Sequence, residues 1–341
     1  MKITVYDQVD LFEILHLEWN ELLRRSVSDR VFSTWEWQST WWNAYHPGNL
    51  WVIVCRDNDD RLLGIAPWFI ENHEEQGRVV RSIGCVEVTD YLDLIIDKDQ
   101  VDNVLKCFAS FLAENRSEFD VIDLCNLPES SPIYTRFPII LSEYRFDVKV
   151  SEQEVCPVIV LPATWDEYLD SLDKKQRHEI RRKIRRVEGA AENVEWYIVS
   201  SLHDLNLEID RFLSLMASSH SQKAVFLQDS QNVDFFRKMV PIIFENGWLQ
   251  MSFMTIGGQA SAAYLNFVYG NQVLVYNSGL MPDQYGHLSP GIVLLAYNIQ
   301  HAIQAGYSVF DFLRGNEVYK YRMGAQDTKV YMLRARSLIE F

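Results

Sequence analysis

The feature that most restricts the fold is an internal correspondence between the two halves of the chain. Trp51-Val-Ile-Val-Cys55, followed after a turn by Gly64-Ile-Ala66-Pro-Trp68, parallels Trp248-Leu-Gln-Met-Ser252, followed by Ser261-Ala-Ala263-Tyr-Leu265. Phe119-Asp-Val-Ile-Asp123-Leu124 parallels Tyr307-Ser-Val-Phe-Asp311-Phe312 at nearly the same offset. Such spacing is what two copies of one αβββαβ unit produce. The expected class is therefore α/β, with α+β mixed sheets, in two tandem domains. Their expected bounds are 1–161 and 191–341, with a basic linker helix in 162–190, and 341 residues is room for two cores.

Periodicity places the elements. Val9 to Arg25 has apolar residues at helical spacing, and Ser33-Thr34-Trp35-Glu36 reads as a capping box opening a second, tryptophan-rich helix. Strands are expected at Trp51 to Cys55 and Leu62 to Ile70 (a hairpin), Val79 to Gly84, Leu92 to Ile96, Phe119 to Cys125, Phe146 to Val150 and Val155 to Leu161, with helices at Val101 to Asn115 and Ile133 to Tyr144. In the second half, helices at Asp204 to Ser218 and Asn232 to Phe244 precede a meander (Leu249 to Thr255, Ser261 to Val268, Gln272 to Asn277). A helix from Pro290 to Ala305, a strand from Tyr307 to Leu313, a short helix near Val318 to Met323 and a strand from Lys329 to Arg336 complete it. Between the halves, Thr164-Trp165-Asp166-Glu167 is a capping box, with one helix expected to about Val187.

That helix inverts the local charge: Lys174 to Arg186 holds eight basic residues and one acidic in a chain of net charge −15. It reads either as a solvated face or as a phosphate-binding surface presenting Arg177 and Arg181. The overall acidity argues against nonspecific binding to nucleic acid or anionic membrane. Five cysteines without metal spacing are expected to be buried reduced thiols, and no metal site is expected. With no apolar leader and no membrane-length apolar run, the expected location is the cytoplasm.

The densest chemistry lies near the C-terminus. Ser289-Pro290-Gly291 has the order of a helix start whose free N–H groups and macrodipole attract phosphate, or is a helix start and nothing more. Asp311 alternates with Phe310 and Phe312, and Arg314, Glu317, Tyr319 and Lys320 follow closely; Asp123 holds the matching place in the first half, more as a cap. Asp90 and Asp93 around Tyr91, and His220 and Lys223 before Phe226, are further polar groups in apolar settings. Zinc spacing, a nucleophile elbow, a Walker A loop and a dinucleotide fingerprint are absent from the sequence.

Taken together, Phe32-Ser33-Thr34-Trp35 with Trp41-Trp42, Gly64-Ile65-Ala66-Pro67, Thr89-Asp90-Tyr91-Leu92-Asp93, the Arg-rich run Leu172 to Arg186, and the closing Ser289-Pro290-Gly291, Gly306, Phe310-Asp311-Phe312, Gly315, Glu317, Tyr319-Lys320 and Gly324 resemble a known family. It is the CelD-like acetyltransferases of the GNAT superfamily, relatives of the FemAB peptidyltransferases. The resemblance implies two GNAT-like domains and acyl transfer from acetyl-CoA or another acyl-CoA to an amine or hydroxyl of a sugar, polysaccharide precursor or envelope metabolite, in a cleft between the halves. It implies that Tyr319-Lys320 stands where FemAB relatives carry an aromatic-Lys pair supporting the transition state. The family's Gln/Arg-x-x-Gly-x-Gly/Ala loop is replaced here by Gln284-Tyr285-Gly286-His287-Leu288-Ser289-Pro290-Gly291.

The expected roles follow. Asp311 or Glu317 acts as base, Tyr319 protonates the leaving thiolate, and Lys320 with backbone N–H groups near Asn277, Ser278 and Gly279 holds the oxyanion. Ser289 and Gly291 face the donor, while Asp90, Arg177, Arg181, His220, Lys223 and Arg314 face the acceptor. Two alternatives stand beside this reading: a FemAB-type aminoacyl-tRNA-dependent transferase, with tRNA as the one nucleic-acid partner, and a catalytically silent glycan- or nucleotide-sugar-binding protein in which the tryptophans stack on sugars.

Overall fold

The computed structural model describes residues 1–85, 88–281 and 285–339. The chain divides into two compact units, Met1–Val155 with Thr328–Phe341, and Cys156–Asp327. The last strand, expected in the C-terminal domain, therefore belongs with the first unit, and the basic helix is part of the second unit.

In the first unit the chain runs through β1 (Lys2–Tyr6), α1 (Leu11–Ile14), α2 (His16–Leu23), α3 (Trp35–Tyr45), β2 (Asn49–Leu50), β3 (Val52–Arg56), β4 (Leu62–Ala66), β5 (Trp68–His73), β6 (Gly77–Ser82), β7 (Ile95–Ile96), α4 (Val101–Glu114), β8 (Val121–Pro128), α5 (Pro132–Thr135) and α6 (Phe137–Glu143). It leaves along β9 (Phe146–Val160), which ends in the second unit. The second unit continues with α7 (Trp165–Ser171), α8 (Lys174–Glu188), β10 (Val194–Ile198), α9 (Leu205–Ser219), α10 (Ser221–Phe226), α11 (Ser230–Glu245), β11 (Leu249–Ile256), β12 (Gln259–Tyr269), β13 (Gln272–Leu280), α12 (Pro290–Gln304), β14 (Val309–Asp311) and α13 (Val318–Arg322). The closing strand β15 (Gln326–Ser337) returns to the first unit.

Both units repeat one scheme: antiparallel strands, a crossover helix, then a parallel strand. In the first, β3 and β4 form the expected hairpin, and β8 follows α4 to pair parallel with β6 at Val79↔Val121. In the second, β11, β12 and β13 form the meander, and β14 follows α12 to pair parallel with β13. Each crossover helix supplies its apolar stripe to one core: Val104, Leu105, Phe108 and Leu112 against Trp51, Trp68 and Ile122, and Val293, Ala296, Ile299 and Ala302 against Met254, Val273 and Phe310.

Several local expectations change. The helix at 9–25 is two short helices. The cap of α3 is Thr34, whose side chain accepts from the Trp37 amide, and Glu36 is taken instead by Asn20 (2.8 Å), so no Ser33 capping box forms. Trp37 and Trp41 are fully buried, which assigns them to the core and removes them as sugar-stacking groups. Pro67, which lacks a ladder donor, divides Leu62 to Ile70 into β4 and β5. The polar run at 151–154 is not a break between strands but the exposed stretch of continuous β9, where Lys329 pairs with Glu152 at 2.7 Å. The 164–187 helix is broken, because Leu172 is extended and Asp173 accepts from the Gln176 amide (2.9 Å) to start α8 afresh. Finally, Cys85 and Cys125 are not free thiols: they form a disulfide with Cα atoms 6.4 Å apart. The parallel pairing of β6 and β8 brings these two segments together, which no local spacing reveals. Cys55, Cys107 and Cys156 are in no disulfide.

Candidate active site

The site begins where two parallel strands part. The pairing of β13 with β14 stops at Leu274↔Asp311, while β13 continues to Leu280. Two local features cause the parting. On β13, Leu265 faces Asn277 and Asn266 faces Val275, so the register steps over Tyr276 and the strand is bulged, which bends it and increases its twist. On β14, the Asp311 carboxylate accepts from the Leu313 amide at 2.7 Å, and Leu313 (φ 56) and Gly315 (φ 109) then turn the chain away from the sheet. Asp311 is thus a strand terminator, and it does not line the adjoining cavity. Its first-half counterpart Asp123 sits within β8 and lies 3.3 Å from Arg334, so it is a strand ion pair and not a cap.

A cavity of about 590 Å³ fills the opening, lined entirely by second-unit residues. One wall is Ser278, Gly279 and Leu280 of β13. Opposite stands the start of α12, Ser289-Pro290-Gly291-Ile292. Gly279 is required here by packing: an added Cβ would lie 2.6 Å from both Leu215 Cβ and Met216 N of α9. Ser289 is left-handed (φ 53), and its carbonyl receives the Ile292 and Val293 amides. Its hydroxyl does not cap the helix but accepts from Lys183 Nζ at 2.6 Å, which corrects its expected role as a side-chain N-cap. Gln284, the first residue of the loop compared with the family pattern, lies outside the described residues.

Lys223 is the cation of this cavity. It projects from α10 and donates to the Ser278 carbonyl at 2.7 Å. Burial pushes its ammonium down to about 8, with the nearby Glu317 carboxylate opposing that shift. His220 lines the same space, but its Nδ1 accepts from the Gln222 amide (3.2 Å) and caps α10. Tyr264 and Tyr319 complete the wall; burial pushes both phenols up, so both remain protonated across the neutral range. The Tyr264 hydroxyl donates to the Gly291 carbonyl at 3.2 Å.

Lys320 is elsewhere. Its side chain is 3% exposed, and its ammonium donates to the carbonyls of Arg314 (2.8 Å) and Gly315 (3.0 Å), with Leu313 at 3.4 Å and the Glu317 carboxylate at 2.9 Å. The expected oxyanion group is instead a clamp for the 313–317 turn, holding Glu317 at the cavity rim. Asn277 and Arg314 do not line the cavity: the Asn277 side-chain oxygen accepts from the Ser278 amide (2.9 Å), and Arg314 contributes the carbonyl that Lys320 grips. Asp90 belongs to the first unit. Arg177 is paired with Asp170 at 2.7 Å, and among the described residues neither it nor Arg181 lines the cavity between α8, α12 and α13.

The basic α8 residues that line a cavity beside that helix are Lys175 and Lys183, joined there by Arg322 of α13. Reasoning from the arginine run missed all three. A signal for Lys183 existed, since it stands three residues after buried Ile180 and so shares the inward side of the helix. Among the described residues no His/Cys/Asp/Glu cluster could hold a metal ion, and no helix is long and apolar enough to cross a membrane.

Residues 174–321 match the family described as acetyltransferase (GNAT) domain. No curated protein sequence matches the chain. Among solved structures it is similar to FemX over 98% of this chain and 97% of that one, with a TM-score of 0.66 and 10% identity. It is similar to L-PGS from Bacillus licheniformis over 95% and 92%, with a TM-score of 0.56 and 9% identity. A tandem GNAT protein from the clavulanic acid biosynthesis pathway matches over 99% and 100%, with a TM-score of 0.51 and 10% identity.

Proposed function

We propose, from the match of residues 174–321 to the acetyltransferase (GNAT) domain family, that the protein moves an acyl group from an acyl-CoA thioester to an amine or hydroxyl acceptor, with the reaction centred on Lys223. The observation that carries this reading is the convergence, in one cavity, of the β13 edge left open by β14, the start of α12 and a half-buried lysine whose ammonium is pushed down to about 8. The cavity has the volume of a small-molecule site. The free N–H groups at the start of α12 suit an anionic part of the donor. The acceptors to assay first are sugars, polysaccharide precursors and envelope metabolites, which the sequence resemblance favours.

In the proposed step Lys223, as the free amine, takes the proton from the acceptor while the acceptor nitrogen or oxygen bonds to the thioester carbonyl carbon. The developing oxyanion is received by backbone N–H groups of the open β13 edge. The Ser278 amide serves in this once the Asn277 side chain, which holds it at 2.9 Å, turns aside. The C–S bond then breaks and Tyr319, buried and protonated, supplies a proton to the thiolate. Glu317, at the rim, orients the acceptor and keeps Lys223 from losing its charge too readily. Asp311 shapes the opening and takes no proton.

The test is release of free thiol from acetyl-CoA in the presence of amine and hydroxyl acceptors. Wild-type protein should turn over, and Tyr319→Phe should lower kcat by roughly a hundredfold while leaving the melting temperature within a few degrees. Equal turnover by the folded Tyr319→Phe protein would remove Tyr319 from the mechanism.

A further inference from the structure

Three sulfur atoms meet in the first unit, apart from the Lys223 cavity of the second. The register of β1 on β3 sets two of them. Ile3 stands opposite Cys55, so Met1, two residues before Ile3, falls on the same face of the sheet and diagonal to Cys55. The Cys55 thiol donates to Met1 Sδ at 3.7 Å. Helix α4 brings the third sulfur. Gly64 is the partner of Cys55 on β4, and a Cβ there would lie 2.5 Å from Val104 and 3.2 Å from Phe108, so the helix comes down on the sheet at this point. Cys107, three residues after Val104, therefore packs on the core cluster that contains Cys55, and the two thiols share a hydrogen bond. Of the other cysteines, Cys85 and Cys125 are joined to each other and Cys156 is buried in the second unit.

We propose that Met1, Cys55 and Cys107 form a binding site for a soft monovalent metal ion, cuprous copper. Thiolate and thioether sulfur together select that ion over hard, oxygen-seeking cations. Bonds the length of zinc–thiolate bonds, about 2.3 Å, hold three sulfurs around one ion roughly 4 Å apart, so the Met1–Cys55 spacing of 3.7 Å asks for little movement. Zinc itself suits the group poorly, because structural zinc takes four ligands and here there are two thiols and one neutral thioether. The ion has a path in: Met1 is 48% exposed and Cys107 half-buried, while Cys55 is fully enclosed behind them. Binding replaces the two thiol protons, which pass to solvent, and the copper keeps its oxidation state. A bound ion ties the segment before β1 to β3 and to α4. Spacing along the chain hides the group, because one ligand is a methionine and the other two come from separate elements. The site is independent of the acyl-transfer reading above.

The test is made without oxygen on the full-length protein, with ascorbate as reductant so that the Cys85–Cys125 disulfide stays intact. Cuprous ion is supplied as its coloured bicinchoninate complex. The wild type should take up one equivalent, gain an ultraviolet thiolate-to-copper band and melt several degrees higher, since an ion bound only by the native state stabilises it by mass action. Losing a group that merely supports a metal ligand costs roughly ten- to a hundredfold in affinity, so Cys107→Ser, which removes a ligand, should weaken uptake by about a hundredfold or more. That variant changes a half-buried helix position, and its metal-free melting temperature shows whether it folds as the wild type does. In selenomethionine-labelled protein the bound copper should appear as a neighbour at the selenium edge. The site is overturned if the wild type takes up no copper, if folded Cys107→Ser takes it up equally well, or if the selenium edge shows no copper. A Cys55–Cys107 disulfide formed in place of metal uptake would also overturn it and would mark the pair as a redox couple.

Discussion

Lys223→Met should lower acyl transfer by roughly a hundredfold or more, the range that loss of a positioned general base produces. The reason is environmental. Partial burial beside β13 removes part of the stabilisation that water gives an ammonium, and the Ser278 carbonyl (2.7 Å), the Ser278 hydroxyl (3.4 Å) and the Glu317 carboxylate replace it only in part. A base must be unprotonated to act, so the rate in the wild type should rise with pH through about 8 and then level. In Lys223→Met that limb should vanish. Because Glu317 holds the Lys223 value up, Glu317→Gln should shift the limb toward lower pH. A pH-rate profile of kcat/KM on the three proteins checks all of this, and a limb that survives in Lys223→Met would assign the base to another group.

Lys320→Ala should act first on stability. The buried ammonium gathers the carbonyls at 313–315 and the Glu317 carboxylate, and alanine leaves those acceptors without their donor. Each unsatisfied buried acceptor costs about 1–3 kcal/mol. Since Arg314 and Gly315 are only half-buried and can recover water, a total on the order of 2–3 kcal/mol is expected, enough to lower the melting temperature by several degrees. Turnover should fall as well, because the turn that carries Glu317 and Tyr319 loosens. A direct oxyanion role gives the opposite pattern: an unchanged melting temperature with a loss of roughly a hundred- to a thousandfold in kcat. Thermal melting and turnover measured on the same preparation separate the two.

The contrast between Lys320 and Lys223 shows what the chain makes legible. Strands β11 to β13, the helix from Pro290 and the strand holding Asp311 follow from alternation, a Gly257-Gly258 turn and a proline at the first helical position, all of them local signals. The duplicated scheme followed from matching apolar runs. What remained hidden depends on contacts across the fold. That α10 packs where Lys223 meets Ser278, 55 residues later, is invisible in either segment. The Cys85–Cys125 disulfide and the return of β15 to the first unit are hidden for the same reason. The break before α8 was readable, because Asp173 precedes Gln176 by the spacing of a helix cap; the longer basic pattern simply ran across it. The role of Lys320 was misread because a lysine beside a glutamate in a polar cluster has the same letters whether it faces a ligand or grips its own backbone.

The proposed function assigns the thioester to the opening between β13 and β14, and hydrogen–deuterium exchange with a non-reactive thioether analogue of acetyl-CoA tests it most directly. With saturating analogue, amides at 277–281 and 289–293 should exchange more slowly, while amides within β11, already paired on both edges by β10 and β12, should not change. Tight binding of the analogue with unaltered exchange at both of those segments would contradict the assignment of the donor to this opening.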